Sequence, residues 1–391
     1  MEQKSSMSRF QTVSILSMSF MMYAAGSLLA PALNALQETF PDTPFPTIRI
    51  IMTSMYLSIL IFSLISGKLG TFVSKKHLVV VGLAIYGTMG IMGARMSSVP
   101  ALIICRIIMG CGVGLVLPQA TAIIAVFYEG KEKERNMGYA TGVSNLGSMI
   151  GSVVGGAAAA ISWRYNFYSF AFSFIIMILV IIGVPATPVP KKEDIGKKES
   201  TPLSSKTWLL ALGMILVQIY GLVTPTNMAR FYLSEQLGPA SLLGITMAVL
   251  TGTGFVAGFV LPAVRKTFGK ATPVFGCIIT GIGFLILWKT TNIYTTILAQ
   301  LLIGFAVGIL TPMIFIANTK LSRPEQLPVT NSVISASIYL GGFLTAYIQS
   351  LISTLSGNSN QRFMFAVFGA GAFIITAAVA AIQRFVHIST E

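Results

Sequence analysis

Charge is scarce in this chain, and acid is scarcest. Asp and Glu together supply 12 of 391 residues, and only 10% of the chain is charged against 54% hydrophobic. So little charge excludes an ordinary soluble domain, where about a quarter of residues are charged. Cysteine is nearly absent: Cys105, Cys111 and Cys277 all fall in apolar segments, where a thiol acts as a small hydrophobe, so neither a disulfide framework nor a metal site is expected. The two histidines, His77 in a loop and His387 in the tail, have no neighbouring ligand or nucleophile. No catalytic or metal constellation is present, and no enzyme activity is expected. The string GCGVG at 110–114 lies inside an apolar segment, and no Walker A sequence occurs, so no nucleotide cofactor is expected.

What the chain has is long apolar runs. Its mean hydropathy is +0.79, and about twelve segments reach the roughly 20 apolar residues that a bilayer crossing needs. Spans are expected near Val13 to Leu36, Ile48 to Ser66, Leu78 to Gly93, Ala101 to Phe127, Met137 to Ile161 and Asn166 to Val184. Six more are expected near Lys206 to Ser234, Leu242 to Val264, Thr272 to Lys289, Tyr294 to Lys320, Leu327 to Leu355 and Arg362 to Val386. The first run is too long for a signal peptide and is read as a span. Glu129 to Arg135 reads as a solvated connector, and the prolines and mixed charges of 185–205 as a cytoplasmic linker. The chain therefore divides into residues 1–184, the linker 185–205, and residues 206–391. The expected fold class is an all-α membrane protein, twelve transmembrane helices in two pseudo-symmetric six-helix halves.

The net charge of +14 would suggest nucleic acid in a soluble protein, but its placement gives another reason for it. With both termini cytoplasmic, 19 of the 26 basic residues fall on the inner side, five fall outside (Arg49, Arg95, Arg164, Lys289 and Arg362), and Arg106 and Arg230 lie within spans. That bias sets the orientation by the positive-inside rule. A multi-pass protein of the plasma (inner) membrane is expected, working as a monomer, with no nucleic acid partner.

One half is written twice. Gly110, Gly114 and Pro118 in the fourth span recur as Gly304, Gly308 and Pro312 in the tenth, all displaced by 194 positions (304 less 110). These glycines suit close helix packing and the prolines a bend, so all six are expected to serve motion. Gly147, Gly151 and Gly155 line one face of the fifth span for close packing. Arg106 is not repeated: the offset carries it to Gln300.

Twelve spans, a central linker and two parallel halves resemble the major facilitator superfamily over nearly the whole chain. The turn Gly67 to Lys76 is similar to that family's loop between the second and third spans: Gly67, Leu69, Lys75 and Lys76 match, while Thr71, Phe72 and Ser74 stand where an aspartate, an arginine and a glycine are expected. Arg106, Gly110, Gly112 and Gly114 match its fourth-span motif. The fifth span resembles the glycine-rich exporter motif, although Asn145 and Leu146 replace its Gly-Pro step. The resemblance implies secondary transport by alternating access, with Gly67, Lys75 and Lys76 in a conformational role. It also implies a path lined by the first, fourth, seventh and tenth spans.

Along those spans the candidate substrate-binding residues are Tyr23, Asn34, Arg106, Gln119, Gln218, Tyr220, Asn227, Arg230, Gln300 and Asn318. All twelve acids fall outside the expected spans, so a buried arginine has no span carboxylate to pair with and must find carbonyls, water or an anion. That imbalance favours a small anionic organic solute. The partners expected are that solute, a coupling ion where transport is coupled, and the bilayer. Two alternatives stay open: a proton-coupled multidrug efflux antiporter, and, for Arg106, a role confined to holding helices together.

Overall fold

The computed structural model describes residues 7–187, 203–323 and 326–386. Most of the expected linker, 188–202, lies outside these, as does His387. Among the described residues the chain is helical throughout: α1 (Arg9–Ser27), α2 (Leu33–Thr39), α3 (Phe45–Leu69), α4 (Lys75–Gly93), α5 (Val99–Phe127), α6 (Gly130–Ile161), α7 (Trp163–Tyr168) and α8 (Phe172–Gly183). After the linker come α9 (Ser205–Ser234), α10 (Ala240–Phe268), α11 (Thr272–Lys289), α12 (Ile293–Leu321), α13 (Leu327–Ser356) and α14 (Gln361–Val386). Helices satisfy every backbone group within the segment, which hydrocarbon demands.

Ten runs among the described residues are long and apolar enough to cross a bilayer, with Ala240–Lys289 counted as one. That run turns at Gly269, whose φ of 49° suits glycine, and so holds both α10 and α11. With α1, packed on α6 and α8, the set is twelve, in two six-helix halves.

Three expected segments differ in form. The first span breaks after Ser27, passes a 3₁₀ turn at Ala30–Ala32, and resumes as α2; Pro31 has no N–H to donate and its ring crowds the preceding turn. Residues Glu129 to Arg135, expected as a connector, fold from Gly130 into the first turns of α6, consistent with the helix propensity of Glu, Lys and Arg. The sixth span is split into α7 and α8 by a 3₁₀ turn at Ser169–Ala171.

The basic loop Gly67–Lys76 marks one end of the bundle, called here the basic end; the opposite one is the far end. At the far end Asn166 donates to the carbonyls of Leu28 and Gly155, both at 2.7 Å, tying α7 to α1 and α6. Arg362 forks onto Glu235 at 2.6 and 2.5 Å and also reaches the carbonyls of Trp288 and Thr290. Within each half the repeated glycines pack helix on helix. A Cβ on Gly110 would strike the Met55 carbonyl of α3, and one on Gly308 the Gly254 carbonyl of α10. Pro118 and Pro312 lie inside α5 and α12.

Gly110→Val should therefore lower stability by about 1–3 kcal/mol, because backbone must move to admit the side chain. Gly67→Val, where an added Cβ meets nothing within 4 Å, should leave the melting temperature unchanged. Thermal melting of the two purified variants in detergent checks the contrast.

Candidate functional site

The two halves enclose a cavity of about 840 Å³ built from α1, α3, α6, α9, α10, α12 and α13. Among the described residues its lining contains no Asp, Glu, Lys, Arg or His. Thr141, Asn145, Ser148 and Ser152 of α6 contribute one polar wall; their spacing of four, three and four puts them on one helix face. Phe255 and Phe259 of α10, Phe315 of α12 and Tyr339 of α13 contribute an aromatic one, and Met52 and Met247 add polarizable surface.

The cavity is shut at the far end. There α6 crosses α10 with backbone on backbone: a Cβ on Gly156 would lie 2.7 Å from Gly244 Cα, and one on Gly244 would lie 2.5 Å from the Ser152 carbonyl. Toward the basic end the same helices part. An added Cβ on Gly138 or Gly258, both in the lining, meets nothing within 4 Å.

Of the candidate residues, Gln218 lines this cavity, and so do Gly304, Gly308 and Pro312. Asn145, noted in the sequence only as a departure from a glycine-rich motif, is also in the wall; its amide donates to the Thr141 carbonyl at 3.1 Å. Tyr56, Phe255, Phe259 and Phe315 were not anticipated. Aromatic residues on an apolar helix read as lipid-facing or core until the neighbouring helices are placed.

The expectation that Arg106 meets solute is not met in this conformation. Its guanidinium is fully buried between α5 and α3, with Nε donating to the Ile51 carbonyl at 3.1 Å and one terminal nitrogen to that of Met52 at 3.5 Å, over the Phe170 ring. Carbonyls and sulfur answer its charge here, outside the cavity lining. Gln119 likewise holds α5 to α3, donating to the Ser66 carbonyl at 2.8 Å. Tyr220 points into an aromatic cluster with Phe284 and Phe368, and Asn318 bonds Thr330 and Asn331 of α13. Gln300 is fully buried, with neither amide atom bonded to protein. The side chain of Tyr23 lies outside the described residues.

Arg230 and Asn34 line a second pocket of about 480 Å³ at the far end, with Glu38 and Asp42. Asn227 is bonded to Gln349 and to Arg49. Arg49, counted among the outside charges, is instead a buried residue of α3, 1% exposed. A Cβ added at Gly67 would meet nothing within 4 Å; Lys75 opens α4, and Lys76 donates to the Ile181 carbonyl at 2.8 Å.

Comparison with known proteins places this geometry. The family model described as Major Facilitator Superfamily matches residues 15–275. The Quinolone resistance protein NorA of Staphylococcus aureus (strain COL) is 26% identical over 280 residues, 69% of this chain and 71% of that protein. Among solved structures, the nucleoside transporter NupG has a TM-score of 0.78 at 11% identity, covering 96% of this chain and 99% of its own. The inward-open xylose transporter XylE from E. coli has 0.74 at 13%, covering 94% of each. At such identities the solved structures establish the fold.

Proposed function

Because this chain belongs to the Major Facilitator Superfamily and is a secondary transporter, we propose that it exports bulky aromatic amphiphiles, uncharged or cationic, by alternating access. The observation that carries this reading is the cavity: about 840 Å³, without a charged side chain among the described residues, one wall hydroxyl and amide, the other aromatic. A volume in the range of roughly 300–1,000 Å³ suits a drug-sized ligand, and an apolar lining with a few polar groups both buries and orients one. With the basic end in the cytoplasm, as the charge bias supports, the cavity opens inward and loads from inside. The similarity to NorA, whose name speaks of quinolone resistance, is in keeping with that direction. An obligate anion would need Arg106 or Arg230 in the path, and neither is in the cavity lining.

Within this reading Asn145 and Gln218 offer hydrogen bonds to the polar edge of the solute, and Phe259 offers a ring face. A thermal-shift screen of the purified protein against aromatic cations, neutral amphiphiles and organic anions tests it. Stabilisation by the first two groups is expected, and stabilisation by anions alone would overturn it. Phe259→Ala should weaken the best binder by about 0.5–1.5 kcal/mol, up to roughly tenfold.

A further inference from the structure

The far-end seal is made twice, by two crossings that the internal repeat relates, and they are chemically unlike. The α6–α10 crossing is the glycine contact of Gly156 with Gly244 described above. The α3–α13 crossing is polar. Arg49 of α3 donates to Gln349 Oε1 of α13 at 2.5 Å and to Asn227 Oδ1 of α9 at 3.3 Å. Gln349 Oε1 also accepts from Asn227 at 2.6 Å, and Gln349 Nε2 donates to Thr226 at 2.9 Å. Arg49 and Gln349 are 1% and 0% exposed.

No carboxylate forms an ion pair with Arg49 among the described residues, and its Nε has no hydrogen-bond partner. A second cation stands close by: the guanidinium carbons of Arg49 and Arg230 lie 5.1 and 4.9 Å from the centroid of one ring, Phe45. A full charge is thus buried against neutral amides with a like charge nearby. Such a contact is specific in geometry yet poorly compensated, which suits a joint that has to open.

The same face of α3 reaches the cavity. Phe45, Arg49, Met52 and Tyr56 recur at helical spacing, and both Met52 and Tyr56 are in the cavity lining. Tyr56 lies as many residues after Arg49 as Gly342 lies before Gln349, and its ring does pack on Gly342: a Cβ there would lie 2.8 Å from Tyr56 Cγ. One stripe on one rigid helix therefore joins the solute chamber to the far-end seal.

We propose that Arg49 is the releasable latch of the far-end gate, held by Gln349 and Asn227, and that Tyr56 and Met52 carry cavity occupancy to it along α3. Arg49 is a positioning residue that touches no solute, and the inference holds whatever solute is carried. It differs from a structural role in predicting opposite effects from two substitutions. Arg49→Ala removes the cation and frees the seam; Gln349→Glu supplies the missing countercharge and tightens it.

The test uses full-length protein with Cys105, Cys111 and Cys277 replaced and Ala346→Cys as reporter. Ala346 is fully buried and shares the face of Gly342 and Gln349, being one turn from each. Its labelling rate with a charged maleimide reads the opening of the seam. Arg49→Ala should raise that rate about tenfold. Gln349→Glu should lower it below the parent and slow transport by about tenfold or more, while Arg49→Ala combined with Gln349→Glu should restore fast labelling. Melting temperatures identify any variant that has simply unfolded. Equal rates in folded parent and both single variants, or a shift of both in one direction, would overturn the latch.

Discussion

Arg106→Ala should cost the transporter its stability and leave its solute preference unchanged. The guanidinium binds the carbonyls of Ile51 and Met52, meets Met55 Sδ at 2.6 Å, and lies over Phe170 with its carbon 5.5 Å from the ring centroid. It therefore joins α5 to α3, and through Phe170 to the turn before α8. Burying a cation at bilayer depth costs about 2.5–3.5 kcal/mol on insertion scales, so these contacts have to offset that cost before they stabilise anything. Truncation removes the contacts and leaves a large void, a change worth about 2–5 kcal/mol. Arg106→Lys keeps the charge but lacks the planar fork that reaches two carbonyls while stacking, so an intermediate loss is expected. The measurements are thermal melting and transport per folded molecule for one neutral amphiphile and one aromatic cation. Equal effect on both solutes is expected. A normal melting temperature with selective loss of one solute's transport would return Arg106 to the solute path.

The twelve helices were legible because hydropathy reports length and spacing, and the repeat of Gly110, Gly114 and Pro118 as Gly304, Gly308 and Pro312 reported how the halves correspond. Which face of a helix meets the cavity was harder to read. α5 is apolar on nearly every side, so nothing in its pattern says whether Arg106 turns toward α3 or toward solute. Arg49 stands one residue inside the expected span start at Ile48 and so reads as an outside charge, whereas the helix starts at Phe45, behind Pro44 and with Pro46 in its first turn. With that start, Phe45, Arg49, Met52 and Tyr56 form a visible stripe. On α6 the reverse occurred: Thr141, Asn145, Ser148 and Ser152 are small and interleaved with glycines, so they read as packing surface although they form a cavity wall. The asymmetry between Arg106 and Gln300 was legible, but its meaning was not, since both are fully buried.

Gly258→Leu should stop transport with the fold intact. Among the described glycines of α6 and α10, the backbone-on-backbone contact lies toward the far end, at Gly156 and Gly244. The helices run antiparallel, and Gly142 lies as far before Gly156 as Gly258 lies after Gly244. Continuing the crossing toward the basic end therefore brings Gly142 against Gly258. In this conformation the cavity separates them: an added Cβ on Gly258 meets nothing within 4 Å, and one on Gly142 touches only the Phe255 ring, at 3.6 Å. When the cavity closes at the basic end and opens at the far end, the glycine pair takes the place that Gly156 and Gly244 hold here, where backbone atoms leave no room for a Cβ. A leucine at 258 fits the present state and gains about 0.5–1 kcal/mol over glycine as a helix residue, so the melting temperature should hold or rise. It obstructs the opposite state, and a penalty of about 2.7 kcal/mol there is enough for a hundredfold fall in turnover. Solute binding from the basic side should survive. The paired substitutions Gly142→Cys and Gly258→Cys supply the complementary readout, with a disulfide forming readily only when the far end is open. Wild-type transport by folded Gly258→Leu would show that α6 and α10 never meet at the basic end, and the gate there would have to lie on other helices.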